Sequence, residues 1–139
     1  MQRILFLAMT IGTIAVLILW QTGSDDPHAG HASGKALAEV TVPELSETAQ
    51  RGRDTFNASC ATCHGTDGAG VDGAGPPLVH IIYEPNHHAD ITFYMAVQRG
   101  VRAHHWRFGD MPAINGVSDT EIAMIISYIR ELQRANGIF

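Results

Sequence analysis

The sequence predicts an all-α domain set behind an apolar N-terminal segment, and three observations carry that expectation. Residues 4–20 form an uncharged apolar block, apolar residues recur at helical spacing in three later stretches, and the segment after the first of these is too rich in glycine to be a helix or strand interior. With 139 residues the chain is sized for a single compact unit. Apolar residues make up 45% and charged residues only 17%, and the block at the terminus accounts for part of that low charge. Asp plus Glu number 14 against 9 Lys plus Arg, a net charge of −5, so there is no excess of cations to neutralise phosphates. Nucleic acid is therefore not an expected partner.

The first element, Ile4 to Trp20, reads ILFLAMTIGTIAVLILW. As a helix it is about 25 Å long, the lower end of what crosses a bilayer. It exceeds the apolar core of a cleaved signal peptide, about 7–15 residues, and Gln21 to Asp26 offer no small-x-small cleavage site. An uncleaved transmembrane anchor is expected, with a cleaved signal as the alternative. Arg3 precedes the block while Asp25 and Asp26 follow it, which places the rest of the chain outside the cytoplasm, and Trp20 suits the headgroup level. Residues 21–42, rich in Gly, Ala, Ser, Asp and His, read as a flexible linker. His28 and His31 within it lack the further ligands a firm metal site needs. The expected division is thus an anchor over 1–20, a linker over 21–42 and a folded domain over 43–139, single-pass in the cytoplasmic membrane with the domain in the periplasm.

The folded part opens on a helix over Glu47 to Ser59, whose Ala49, Gly52 and Phe56 form a stripe running into Cys60. There the chain reads Cys60-Ala61-Thr62-Cys63-His64. The spacing C-x-x-C-H attaches a c-type haem: two thiols add to the porphyrin vinyl groups and the next histidine ligates the iron. A thioredoxin-like dithiol would need a strand before the cysteines, and none precedes them. A structural zinc site needs two more ligands at compatible spacing, and neither a second C-x-x-C nor H-x₃₋₅-H follows. A disulfide across so short a loop would add little.

From about Ser46 to Phe139 the chain resembles a class I c-type cytochrome. The glycine-rich run ends in Gly75-Pro76-Pro77-Leu78, similar to that family's Gly-Pro-x-Leu. The resemblance implies that the Pro76 carbonyl accepts the Nδ1 proton of His64, the orientation a ligating imidazole requires. It also implies the class I cytochrome c fold, a small helical domain wrapped around one covalently bound haem c, attached after export. The family's distal ligand motif is matched by Gly109-Asp110-Met111-Pro112-Ala113, where proline blocks helix continuation after the sulfur. Met111 is therefore the expected sixth ligand. Met95 and Met124 fall in helical stretches where methionine more often packs, His80, His87 and His88 are further candidates, and the pair His104-His105 is the runner-up.

Asp90 is expected to cap a helix over Ile91 to Arg99 that stops near Gly100. Ser118-Asp119-Thr120-Glu121 is a capping box that opens the last helix, with Ile122, Ile125, Ile126, Ile129 and Leu132 on one face. The resemblance places Tyr128 over Gly52, with Phe56 nearby. Val71, Leu78, Val79, Ile91, Tyr94 and Val97 are candidate haem-lining residues, since about 95 residues hardly build a large core from side chains alone. The Trp106 indole N–H needs a buried partner, and a haem propionate is one; simple packing of the ring is the alternative. Arg99, Arg102 and Arg107 gather near His104 and His105, where they could neutralise propionates or orient an acidic redox partner. His87-His88 and His104-His105 could form a copper or zinc site only if the fold brings the two pairs together.

The function these residues imply is electron transfer by a single His64/Met111-ligated haem between redox protein partners at the outer face of the membrane. No general acid, base or nucleophile is needed, and no catalytic constellation is present in the sequence. The alternatives are a haem subunit of a larger oxidoreductase and an open-site haem protein that binds peroxide, nitric oxide or oxygen.

Overall fold

The structure is a computed structural model that describes residues 34–139. The anchor over 1–20, the linker histidines and the flanking charges lie outside the described residues, among which no helix is long and apolar enough to cross a membrane. Among the described residues four helices follow one another: α1 (Glu47–Ser59), α2 (Ala61–His64), α3 (Asp90–Arg99) and α4 (Asp119–Ala135). Single 3₁₀ turns lie at Thr66–Gly68 and Ile81–Tyr83. Among the described residues the β pairing is confined to isolated bridges, Ala36 with Val71, Val71 with Gly75, and Val101 with Met111. The all-α expectation holds.

α1 starts where Ser46 accepts the Ala49 N–H at 3.2 Å. The same hydroxyl donates to Glu131 at 2.7 Å, so one cap also ties the start of α1 to α4. The capping box of α4 forms as the spacing predicts, and Ile122, Ile125, Ile126, Ile129 and Leu132 are all buried. α1 and α4 close the main core through Ala49, Phe56, Ile125, Tyr128, Ile129 and Leu132. A smaller cluster of Val97, Ile122 and Ile126 seats α3 on the first part of α4.

Gly52 is required by this packing. A Cβ there would lie 2.0 Å from the Met124 carbonyl oxygen and 2.9 Å from the Ile125 nitrogen, both backbone atoms of α4. The glycine therefore meets the α4 backbone rather than Tyr128. Tyr128 lies further along, edge-on to Phe56 with ring centroids 5.6 Å apart. Its hydroxyl donates to Asp67 at 2.7 Å. Asp67 sits at φ 55, a left-handed conformation that aspartate tolerates better than most residues.

Two local expectations are corrected. Asp90 is not the cap of α3: Ala89 holds that position without a side-chain bond, and Asp90 is the first helical residue. Its carboxylate is taken instead by Arg130 on α4, 2.8 Å away. The linker expected over 21–42 is not loose to its end, because the Leu37 and Ala38 N–H groups donate to the Ala69 carbonyl. The Asp72 N–H likewise donates to Lys35, and Thr41 exchanges hydrogen bonds with the Asn136 side chain. Backbone groups of the glycine-rich loop and the Asn136 side chain after α4 recruit this strand-like stretch.

Gly52→Ala forces two backbones apart, and the holoprotein should lose about 3 kcal/mol of unfolding free energy, the upper part of the usual overpacking range. Guanidinium titration followed by helical circular dichroism measures it.

Candidate functional site

α2 is a single turn hung from the end of α1. The Cys60 N–H closes α1 on Phe56, and the Cys63 and His64 N–H groups both donate to the Cys60 carbonyl, so the cysteines and the histidine share one tight turn. Cys60 is half-buried, Cys63 exposed and His64 buried. Burial, with a smaller push from Cys63, raises the Cys60 thiol to about 11. A redox-active dithiol needs the opposite, a depressed thiol.

His64 Nδ1–H donates to the Pro76 carbonyl at 2.9 Å. The pairing implied by resemblance is thus present in the geometry. Gly75 permits it: a Cβ there would lie 2.6 Å from the Cys63 carbonyl oxygen, so only glycine lets the proline loop lie against the attachment turn. Burial, partly offset by the Pro76 bond, holds the imidazole below the usual histidine range. The ring is neutral at pH 7, with its Nε2 lone pair available to a metal.

In front of this turn lies a cavity of about 530 Å³, lined by apolar groups including Phe56, Leu78 and Val97 together with Cys60, His64 and Met111. Its size falls within the usual range for a small-molecule site. Of the expected lining residues only Leu78 and Val97 reach it. Val71 pairs with Ala36 and Gly75 on the glycine loop, Val79 joins the main core and Tyr94 packs in the smaller cluster. Ile91 is 62% exposed. α3 nevertheless faces the cavity through Thr92, Phe93, Met95, Ala96 and Val97.

Met111 is held by a two-way backbone bridge on the cavity wall, its N–H and carbonyl both bonded to Val101 at 2.9 Å. The Asp110 carboxylate accepts the Ala103 N–H at 2.8 Å and tightens the same loop. Among the other ligand candidates, Met124, His80 and His87 do not line the cavity, whereas Met95, His88, His104 and His105 do. Met95 is no core residue as its helical setting suggests, being 45% exposed on α3.

The buried Trp106 Nε1–H lacks any partner that meets hydrogen-bond geometry. Its ring lines the cavity, edge-on to His80 at 5.1 Å. A buried orphan donor in the wall of an apolar cavity matches a group carrying anionic oxygens.

Sequence reasoning passed over Arg130. It is buried, donates to Asp90, to the Tyr83 and His88 carbonyls and to Gln133, and lies 4.9 Å from the centre of the Phe93 ring. It ties α4 to residues 83–90 and so shapes one side of the cavity. The available signal was its place beside Ile126, Ile129 and Gln133 on the inward face of α4.

The cytochrome c family model matches residues 49–133, most of the described chain. The chain belongs to the cytochrome c family. No curated protein and no solved structure matches it significantly. Membership makes this a class I c-type cytochrome, with covalent haem c as cofactor and haem-based electron transfer as the family's activity. The residues present fit that cofactor: the paired thiols, a neutral histidine oriented by a carbonyl, an apolar cavity of suitable size and one orphan donor for its acidic edge.

Replacing both Cys60 and Cys63 by Ser should abolish covalent attachment, read as loss of haem-dependent staining of the denatured polypeptide. Tyr128→Phe keeps the ring packing but strips Asp67 of its donor. A loss of about 1–3 kcal/mol is expected in chemical unfolding of the holoprotein.

Proposed function

We propose that this cytochrome is a monohaem electron carrier ligated by His64 and Met111, anchored by residues 4–20 with its haem domain on the periplasmic side of the cytoplasmic membrane. The observation that supports it best is the double hydrogen bond between Met111 and Val101, which holds a soft thioether in the wall of the cavity that His64 also lines. When bound, haem c supplies one-electron exchange between ferric and ferrous iron.

The chain's part is to hold and to exclude. Cys60 and Cys63 tether the group, and His64, fixed by Pro76, keeps one tautomer and one ring orientation. As the second protein ligand, a neutral methionine would favour ferrous iron and raise the potential relative to a second histidine. Apolar walls from Phe56, Leu78 and Val97 keep water from most of the ring, and Trp106 Nε1–H is placed to donate to a propionate. His104 and His105 are poorer sixth ligands. Both are exposed and neither is pinned by a two-way backbone bridge as Met111 is, and the Nε2 of His105 faces His87. The partners are redox proteins, a donor and an acceptor that meet the domain at the membrane surface.

The oxidised protein should show the weak near-infrared band of sulfur-to-iron charge transfer, and Met111→Ala should remove it. Rapid, stoichiometric carbon monoxide binding by the wild-type ferrous protein would instead indicate an open-site haem protein. Deleting residues 4–20 while supplying a cleavable export signal should move the holoprotein from the membrane to the soluble fraction; retention on the membrane would remove the anchor from the proposal.

A further inference from the structure

The fold brings together two histidine pairs that are separate in sequence. His87 and His88 lie in the loop before α3, and His104 and His105 in the loop that leads to Met111. One nitrogen each from His87, His88 and His105 all fall within 4.8 Å of one another. The Nε2 atoms of His87 and His105 are 3.4 Å apart. The ring of His88 is 4.7 Å from that of His87 and 5.3 Å from that of His105.

His88 is the oriented member. Its Nδ1–H donates to the Ile82 carbonyl at 2.6 Å, which fixes the tautomer and leaves Nε2 as a free lone pair. Its own carbonyl is held by the buried Arg130. A carbonyl-bound imidazole is the support that ligating histidines ordinarily have. Burial and the neighbouring histidines and Arg130 hold His88 below the usual histidine range, and the same crowding lowers His105.

We propose that His87, His88 and His105 form a second metal site, distinct from the haem iron, for a late first-row divalent cation of the Zn²⁺ or Cu²⁺ class. Imidazole donors select these ions over Ca²⁺ and Mg²⁺, which take oxygen ligands, and Cu²⁺ binds most tightly in the general order. Three protein nitrogens leave a position for water or another ligand. His104 lies beside His105, with ring centroids 4.3 Å apart and the planes tilted by 53°, but contributes no atom to the group. An ion held here cross-links the loop before α3 to the loop that carries Met111. Its binding then stabilises the folded domain by mass action.

The test uses full-length holoprotein in detergent, stripped with a chelator and then equilibrated with Zn²⁺ or Cu²⁺. One equivalent beyond the haem iron should bind, with nitrogen hyperfine structure in the Cu²⁺ resonance spectrum and a raised melting temperature. His87→Ala/His105→Ala should weaken binding by more than the roughly 10–100-fold that loss of an outer-shell partner costs. The single variant His87→Gln should weaken it less, and each variant's unchanged Soret band certifies the haem domain. His104→Ala and His28→Ala/His31→Ala should bind as wild type. Iron alone after equilibration overturns the proposal. So does wild-type binding by His87→Ala/His105→Ala, or loss of binding in His28→Ala/His31→Ala, which would place the ion on the N-terminal segment.

Discussion

The attachment turn can occupy one place only because α1 is clamped to α4 at van der Waals distance. A glycine at position 52 lets the Met124 and Ile125 backbone approach where any side chain would stand, and Phe56 and Tyr128 then meet one turn further along. Cys60 and His64 follow directly from the end of that helix. A shift of α1 along α4 would move the thiols and the imidazole by the same amount, away from the proline loop and from Met111. The reactive geometry is thus a consequence of helix packing some distance from it.

The polar groups keep this arrangement from slipping. Tyr128 holds Asp67 in its left-handed turn at the start of the glycine loop, and burial together with that carboxylate pushes the phenol well above its usual range, so it remains a donor. Arg130 gathers the Tyr83 and His88 carbonyls beneath the loop, and Gln133 donates to the Tyr83 carbonyl as well. Its guanidinium fork suits several acceptors at once, which a lysine could not replace. Ser46 and Glu131 join the helix ends on the far side. Each of these contacts connects α4 to a different segment, making the last helix the spine on which the loops are hung.

What was legible beforehand follows from how local each signal is. The C-x-x-C-H turn, the capping box of α4 and the spacing of its isoleucines depend on neighbours within a few residues, and all three stand in the structure. The hydrogen bond from His64 to Pro76 joins positions 12 apart and was reached only through family resemblance. The haem-lining set was misjudged at Val71, Val79, Ile91 and Tyr94, because an apolar side chain carries no mark of which of two apolar surroundings it enters. Asp90 was misread as a cap since its partner, Arg130, is 40 residues away.

By itself the sequence determined the chemistry: two thiols and a histidine at one spacing, a methionine before a proline, and the helical periodicity that builds the domain around them. These are properties of short segments, set by covalent connectivity and by the 3.6-residue turn. Only the tertiary structure decided which residues share a wall, that Gly52 yields to backbone rather than to Tyr128, and that residues 35–41 belong to the folded domain. It also decided that two histidine pairs, harmless apart, face each other across one edge of the cavity. Such meetings depend on where packed helices bring distant loops, and chain-local preference contains no term for that distance.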